Sequence, residues 1–236
     1  MSERPDENKT NGTLQVPMPD VVRFVRQLSH DLRNHLNAAE LQAAYMNEIA
    51  TDADVKGEVK RLRGMFSEMG NSLQKLSTAL ADPKLTLMPY GAKAFMEDLR
   101  AKLPIQFPDR ANSVQWAGEQ PDKAQLEIDP QLLQQAFLEL FANAFHHSDG
   151  SESIQVSAEM VSGDFVFTLR EPKAQFDAPT ANWGREPFAR ITHGHYGLGL
   201  HRTRSIIEAH RGRYDARYDA SANSLVTTVS LPALTA

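Results

Sequence analysis

Three short clusters carry residue types able to do chemistry. In Ser29-His30-Asp31-Leu32-Arg33-Asn34-His35 a histidine, a carboxylate and an amide fall within about one helical turn. Imidazole changes charge near neutral pH, so a solvent-facing copy beside a carboxylate is equipped for proton or group transfer. In Glu139-Leu140-Phe141-Ala142-Asn143-Ala144-Phe145-His146-His147-Ser148 the acid and the amide are four apart and project from one helix face. In Gly197-Leu198-Gly199-Leu200 two glycines precede a helical pattern, an arrangement in which backbone N–H groups can approach an anion. Gly-x-Gly alone is a weak signal.

These clusters need elements to hold them. Val21, Val25, Leu28, Leu32, Leu36, Ala39, Ala43 and Met46 recur at steps of three and four, which predicts a long amphipathic helix from Pro19-Asp20. With Leu28 at 0°, that stripe spans about 0° to 80°, His30 falls near 200° and Asn34 near 240°, so the pair faces solvent. His35, near 340°, sits at the stripe margin. After a polar break at Thr51–Asp54, Val59, Leu62, Phe66, Met69, Leu73, Leu76 and Leu80 predict a second long helix, ended by Asp82-Pro83. One apolar stripe per helix cannot close a core alone, and two copies of the hairpin would bury all four stripes as a four-helix bundle.

Downstream, apolar runs at Lys84–Met88, Ile105–Phe107 and Val114–Trp116 read as short strands around a helix near Ala92–Leu103. Asp129-Pro130 opens a helix to about His147. Ser153–Met160 and Asp164–Leu169 alternate around Ser162-Gly163-Asp164 as a hairpin, a Pro-, Ala- and Asn-rich loop leads to a helix over Gly199–His210, and Arg213–Arg217 and Ser224–Leu231 close the sheet. The expected architecture is α+β: a polar, disordered tail over 1–18, an antiparallel helical hairpin over 19–82, and a two-layer α/β sandwich with a mostly antiparallel sheet over 84–236.

The first cluster resembles the H-box of sensor histidine kinases, and the second resembles the N-box of the GHKL ATPases. Arg185-Glu186-Pro187-Phe188 is similar to the F-box, and Gly197–Leu200 to the G2 box. The four motifs stand in the family's order on the family's elements, and the resemblance spans nearly the whole chain. It implies that His30 accepts the γ-phosphoryl group of ATP, that Asp31 orients or deprotonates the ring, and that Asn34 positions water for dephosphorylating a response regulator. It further implies that Asn143 holds Mg²⁺ on the phosphates, that Glu139 orients the attacking group, that His146 replaces a common lysine, and that Gly197, Leu198, Gly199 and Leu200 line the triphosphate. Two departures are plain. His35 stands where the family commonly has proline, and Arg170-Glu171-Pro172-Lys173-Ala174 replaces the aspartate and glycines of the G1 box, leaving Glu171 as the carboxylate available to the adenine amino group.

Composition narrows the classes. A net charge of −5 offers no basic excess for nucleic acid, and the absence of cysteine excludes disulfides and thiolate metal sites. No apolar run reaches membrane-spanning length and the first residues are polar, which predicts a cytoplasmic protein without membrane contact. The leading reading is a homodimeric histidine kinase using ATP and Mg²⁺, with a response-regulator receiver domain as partner and room for a separate sensor protein. Two alternatives remain: a histidine phosphotransferase whose kinase-like domain has lost ATP, and a non-catalytic dimeric scaffold.

Overall fold

The computed structural model describes residues 17–118, 124–148, 153–177, 179–188 and 197–234. All but the last two residues of the expected tail over 1–18 lie outside the described residues. The chain divides into two compact units, Met1–Thr78 and Ala79–Ala236. The division falls within a helix, upstream of the Asp82-Pro83 break expected from sequence.

The first unit is a hairpin of two helices, α1 (Met18–Ile49) and α2 (Ala53–Leu80). Asp52 starts α2 by accepting from the backbone N–H groups of Asp54 and Val55 at 2.7 and 3.3 Å, which answers donors that a helix start leaves open. The apolar stripe of α1 is divided. Ala43 is buried and Val25, Leu36 and Ala39 are half-buried, whereas Leu28, Leu32 and Met46 remain about 42–43% exposed. The most buried positions are instead Ser29 and Ala43, Ser29 lying near 100° on the same wheel. The interhelical face is thus rotated away from the centre of the stripe and takes in polar groups: Arg63 of α2 donates to Glu40 of α1 at 2.7 Å. On α2, Val59 and Leu80 are buried while Leu62, Met65 and Met69 are exposed.

The second unit comprises β1 (Met88–Gly91), α3 (Ala92–Gln106), β2 (Val114–Ala117), β3 (Gln125–Ile128), α4 (Pro130–His147), β4 (Ile154–Val161), β5 (Asp164–Pro172), α5 (Gly199–Ala209), β6 (Arg213–Asp219) and β7 (Ser224–Pro232). The main sheet has the order β2-β4-β5-β7-β6, with β2 and β4 parallel and the remaining neighbours antiparallel; β1 and β3 form a separate antiparallel pair. Inward-facing Phe165, Phe167 and Leu169 of β5 alternate with half-buried residues, the signature of a sheet packed on one face. They meet Phe137 and Phe141 of α4, with Phe137 and Phe167 ring centroids 4.5 Å apart.

Two expectations need correction, and one strand was not foreseen. Lys84–Leu87 is not strand, and part of the reason is that the Thr86 N–H donates to the Asp129 carboxylate at 3.0 Å. Ile105-Gln106 is the end of α3, which runs through Pro104, leaving Ile105 83% exposed. The strand β3, placed directly before α4, had no counterpart in the sequence reading.

Asp129 fixes the start of α4. Its carboxylate accepts from the N–H groups of Gln131, Leu132 and Thr86, and its own N–H donates to Nε2 of buried His210, whose Nδ1 donates to the Ile206 carbonyl. Burial opposes the charge on Asp129, but the backbone donors prevail and hold the carboxyl below its ordinary range. The helix carrying Glu139 and Asn143 is therefore anchored to the end of α5, the helix that follows the glycine turn.

Candidate functional site

On α1, the His30 side chain is 65% exposed and its Nδ1 lies 3.2 Å from Asp31 Oδ1. Asn34 Nδ2 stands 3.4 Å from the same ring nitrogen. One nitrogen cannot both donate to a carboxylate and accept from an amide. The contact to the charged partner is the shorter and the stronger kind, so Nδ1 carries the hydrogen and Nε2 keeps its lone pair facing outward. The longer Asn34 contact is the weaker of the two. Asp31 is held below the ordinary carboxylate range first by the His30 hydrogen bond and next by Gln27, which donates to Oδ1 at 2.9 Å. The cluster brings His30, Asp31 and Asn34 together. His35 is exposed and takes no part in these hydrogen bonds.

In the second unit, Glu139 and Asn143 are half-buried on one side of α4, while the apolar positions Leu133, Phe137, Leu140 and Phe141 take the core side. Asn143 Nδ2 donates to the Glu139 carbonyl at 2.9 Å, which directs the amide and reserves its oxygen for another partner. The Glu139 carboxylate lies directly over Gly199: a Cβ built there would stand 1.9 Å from Oε1. Gly197 takes φ +65°, and Leu198, buried at the helix boundary, accepts from the Arg202 N–H at 2.9 Å. Leu200 is half-buried and its carbonyl approaches Gly184 so closely that a Cβ on Gly184 would meet it at 2.4 Å. The four residues Gly197–Leu200 therefore form a tight turn into α5 beside Glu139. His146 lies exposed on the last turn of α4, its ring edge-to-face with His147.

The G1 position differs most from a glycine-rich loop. With no glycine to break it, β5 continues to Pro172, pairing Glu171 with Leu225 and Pro172 with Ser224. Alternation then turns Glu171 to the inner face, where it is 4% exposed. Burial pushes its carboxyl up, and Lys173, with Nζ 2.7 Å from Oε1, pulls it back. Lys173 Nζ also donates to the carbonyl of His147 at the end of α4. Of the F-box-like residues, Arg185 and Glu186 are exposed, Pro187 is buried, and Phe188 is half-buried with φ +65°.

Residues 128–234 match the histidine kinase-, DNA gyrase B-, and HSP90-like ATPase family. That segment is a GHKL-type ATPase domain. The sensor protein SphS of Synechococcus elongatus is 25% identical over 231 residues, covering 89% of this chain and 54% of SphS. Among solved structures, full-length ShkA in complex with AMPPNP superposes with TM-score 0.61 at 19% identity, over 93% of this chain and 47% of ShkA. The histidine kinase AdeS of Acinetobacter baumannii gives 0.50 at 18%, over 87% and 98%, and the mycobacterial sensor histidine kinase MprB 0.50 at 17%, over 64% and 100%. The chain spans about half the length of its curated relative. Residues 128–234 thus carry that ATPase domain, and the chain shares its fold with these histidine kinases.

Several residues around this site are not legible from the sequence. Lys173 could be named from sequence, but its pairing with Glu171 requires knowing that β5 runs on. Arg204, 7% exposed, donates to the Trp183 carbonyl at 2.8 Å and stacks 4.9 Å over Tyr214, while His201 Nδ1 meets the Gly184 carbonyl at 3.1 Å. These α5 side chains hold the segment around Gly184 beside the glycine turn. Their only sequence signal was position on a helix after Gly-x-Gly. Among the described residues no group of acids, histidines and cysteines is arranged to hold a metal by itself, and no helix is long and apolar enough to cross a membrane.

Proposed function

We propose that this chain is the cytoplasmic core of a two-component histidine kinase, transferring the γ-phosphoryl group of ATP to His30 and then to an aspartate on a response-regulator receiver domain. The observation that carries the reading is the 3.2 Å contact from His30 Nδ1 to Asp31 on an exposed helix face. It favours the tautomer in which Nδ1 carries the hydrogen and Nε2 serves as the nucleophile. Nε2 forms the N–P bond as the bond from γ-phosphorus to the bridging oxygen breaks, ADP leaves, and the Nδ1 proton passes to Asp31. Asn34, touching the ring without being the nucleophile, is suited to holding water for regulator dephosphorylation.

In the ATPase domain the Asn143 amide oxygen is a hard donor fitted to Mg²⁺, which would neutralise phosphate charge when bound. Gly197 and Gly199 bring no side chain of their own to the turn's backbone N–H groups, and Glu139, lying over Gly199, would orient the attacking group. His146 is placed at the exposed rim and can meet phosphate when protonated. Glu171 is the carboxylate for the adenine amino group. A second reading has a specific observation in its favour: Glu171 is already paired with Lys173, as it would be in a phosphotransferase that no longer reads ATP.

The experiment is labelled-phosphate incorporation from Mg-ATP beside acceptance from a phosphorylated receiver. Incorporation from ATP supports the kinase. Acceptance from the receiver alone, with no calorimetric binding at millimolar Mg-ATP, replaces it with the phosphotransferase.

The reading includes a homodimer. Leu28, Leu32 and Met46 of α1 and Leu62, Met65 and Met69 of α2 are apolar and exposed in the single hairpin, and a second copy would bury them as a four-helix bundle. Changing Leu62 to glutamate should split the dimer, because a buried unpaired carboxylate costs several kcal/mol. Solution mass is the check, and an unmutated chain that is monomeric at micromolar concentration would refute the bundle.

A further inference from the structure

The end of α2 draws a hydrogen-bond donor from another element. Final-turn carbonyls need donors from outside the helix, yet the next residues are Ala81, Asp82 and Pro83, and Pro83 has no N–H to give. Nor does the last turn of α2 contain a basic residue. The donor comes from α5: Arg202 Nη1 meets the Ala81 carbonyl at 2.7 Å. A cation at this end is also favoured by the helix dipole. Ala79, Leu80 and the linker after them belong to the C-terminal unit, and Leu80 is buried there. Burial draws the Arg202 guanidinium below its ordinary range while Asp82 draws it back, so the group is partly withdrawn from water and committed to this linker.

Arg202 is equally bound to the glycine turn. Its N–H donates to Leu198, between Gly197 and Gly199, and the next residue, Thr203, is buried with its hydroxyl 3.4 Å from the Ala136 carbonyl of α4. A turn that shifts or stiffens on gripping a triphosphate carries Arg202 with it.

We propose that Arg202 is a positioning residue that couples nucleotide occupancy of the Gly197–Leu200 turn to the order of the linker at the end of α2. The proposal rests on the nucleotide-binding reading of that turn, but not on phosphorylation of His30. Coupling of this kind is reciprocal, so nucleotide tightens the linker by the factor by which the linker bond tightens nucleotide.

The test is hydrogen exchange of the amides from Ala79 to Thr86 in the full chain, with and without Mg-AMPPNP. In the unmutated protein the analogue should slow exchange there by roughly five- to a hundredfold. Arg202→Ala should abolish that difference and weaken binding of the analogue by no more than the same factor. Arg202→Lys, which keeps one charged donor, should retain part of it. A merely structural role would change exchange equally with and without nucleotide. The proposal is overturned if the unmutated chain shows no nucleotide-dependent change, or if Arg202→Ala keeps it. Linker protection without any labelling of His30 would leave the coupling standing and remove the kinase reading.

Discussion

Gly199→Leu is expected to eliminate measurable Mg-ATP binding, a loss of roughly a hundredfold or more if two charge-assisted phosphate contacts disappear together. The reason is space. Even a methyl group at this position would stand 1.9 Å from Glu139 Oε1 and 2.8 Å from its Cδ. Gly199→Ala is the milder case, because the obstructing atoms end a side chain that can swing aside; it should fold, bind nucleotide weakly, and misplace the Glu139 carboxylate. Pairing Gly199→Ala with Glu139→Ala should return part of the affinity by removing the obstruction. Calorimetry on the three variants decides it. Unchanged affinity in Gly199→Leu would mean that the triphosphate does not use this turn.

His30→Ala is expected to erase the acid-labile phosphoryl signal while leaving circular dichroism and solution mass unchanged, since the side chain is largely exposed and packs against nothing that the core needs. Asp31→Asn keeps the shape but removes the charge that holds the Nδ1 proton. Labelling should then slow by roughly a hundredfold or more, in line with loss of a positioned general base. Mass spectrometry after brief labelling locates the phosphoryl group. A signal persisting in His30→Ala would move the acceptor to His35 or another residue.

Periodicity located both long helices within a few residues, because an uninterrupted three-four spacing over many turns has no competing interpretation. It could not show which edge of the α1 stripe faces α2. The apolar arc is wider than one interface, so Ser29, polar by type, lies inside while Leu28 and Leu32 remain outside. His30 and Asn34 were legible as exposed neighbours because one turn of helix fixes their relation. Glu139 and Asn143 were legible for the same reason. The approach of Glu139 to Gly199 was not, since it depends on the packing of α4 against α5, as does the Arg202 bond to Ala81. β3 was missed because Gln125–Ile128 is short and contains only two inward apolar residues, Leu126 and Ile128. Alternation in the sequence ends this strand at Leu169, whereas pairing with β7 over-rides local preference and extends β5 through Pro172.

The nine-residue ladder between β5 and β7 has a bearing on how such a domain can diverge. It runs from Asp164 opposite Pro232 to Pro172 opposite Ser224, and everything between Pro172 and Ser224 is a loop closed by that ladder. Within it, α5 and β6 are fixed by packing, but the stretch from Lys173 to the glycine turn contributes no strand or helix among its described residues. The entropy of closing a loop grows only logarithmically, about 0.6 kcal/mol for each doubling of length. Insertions and deletions between Lys173 and the Trp183-Gly184 pair that α5 holds are therefore cheap for the fold, while the sheet beneath stays unchanged.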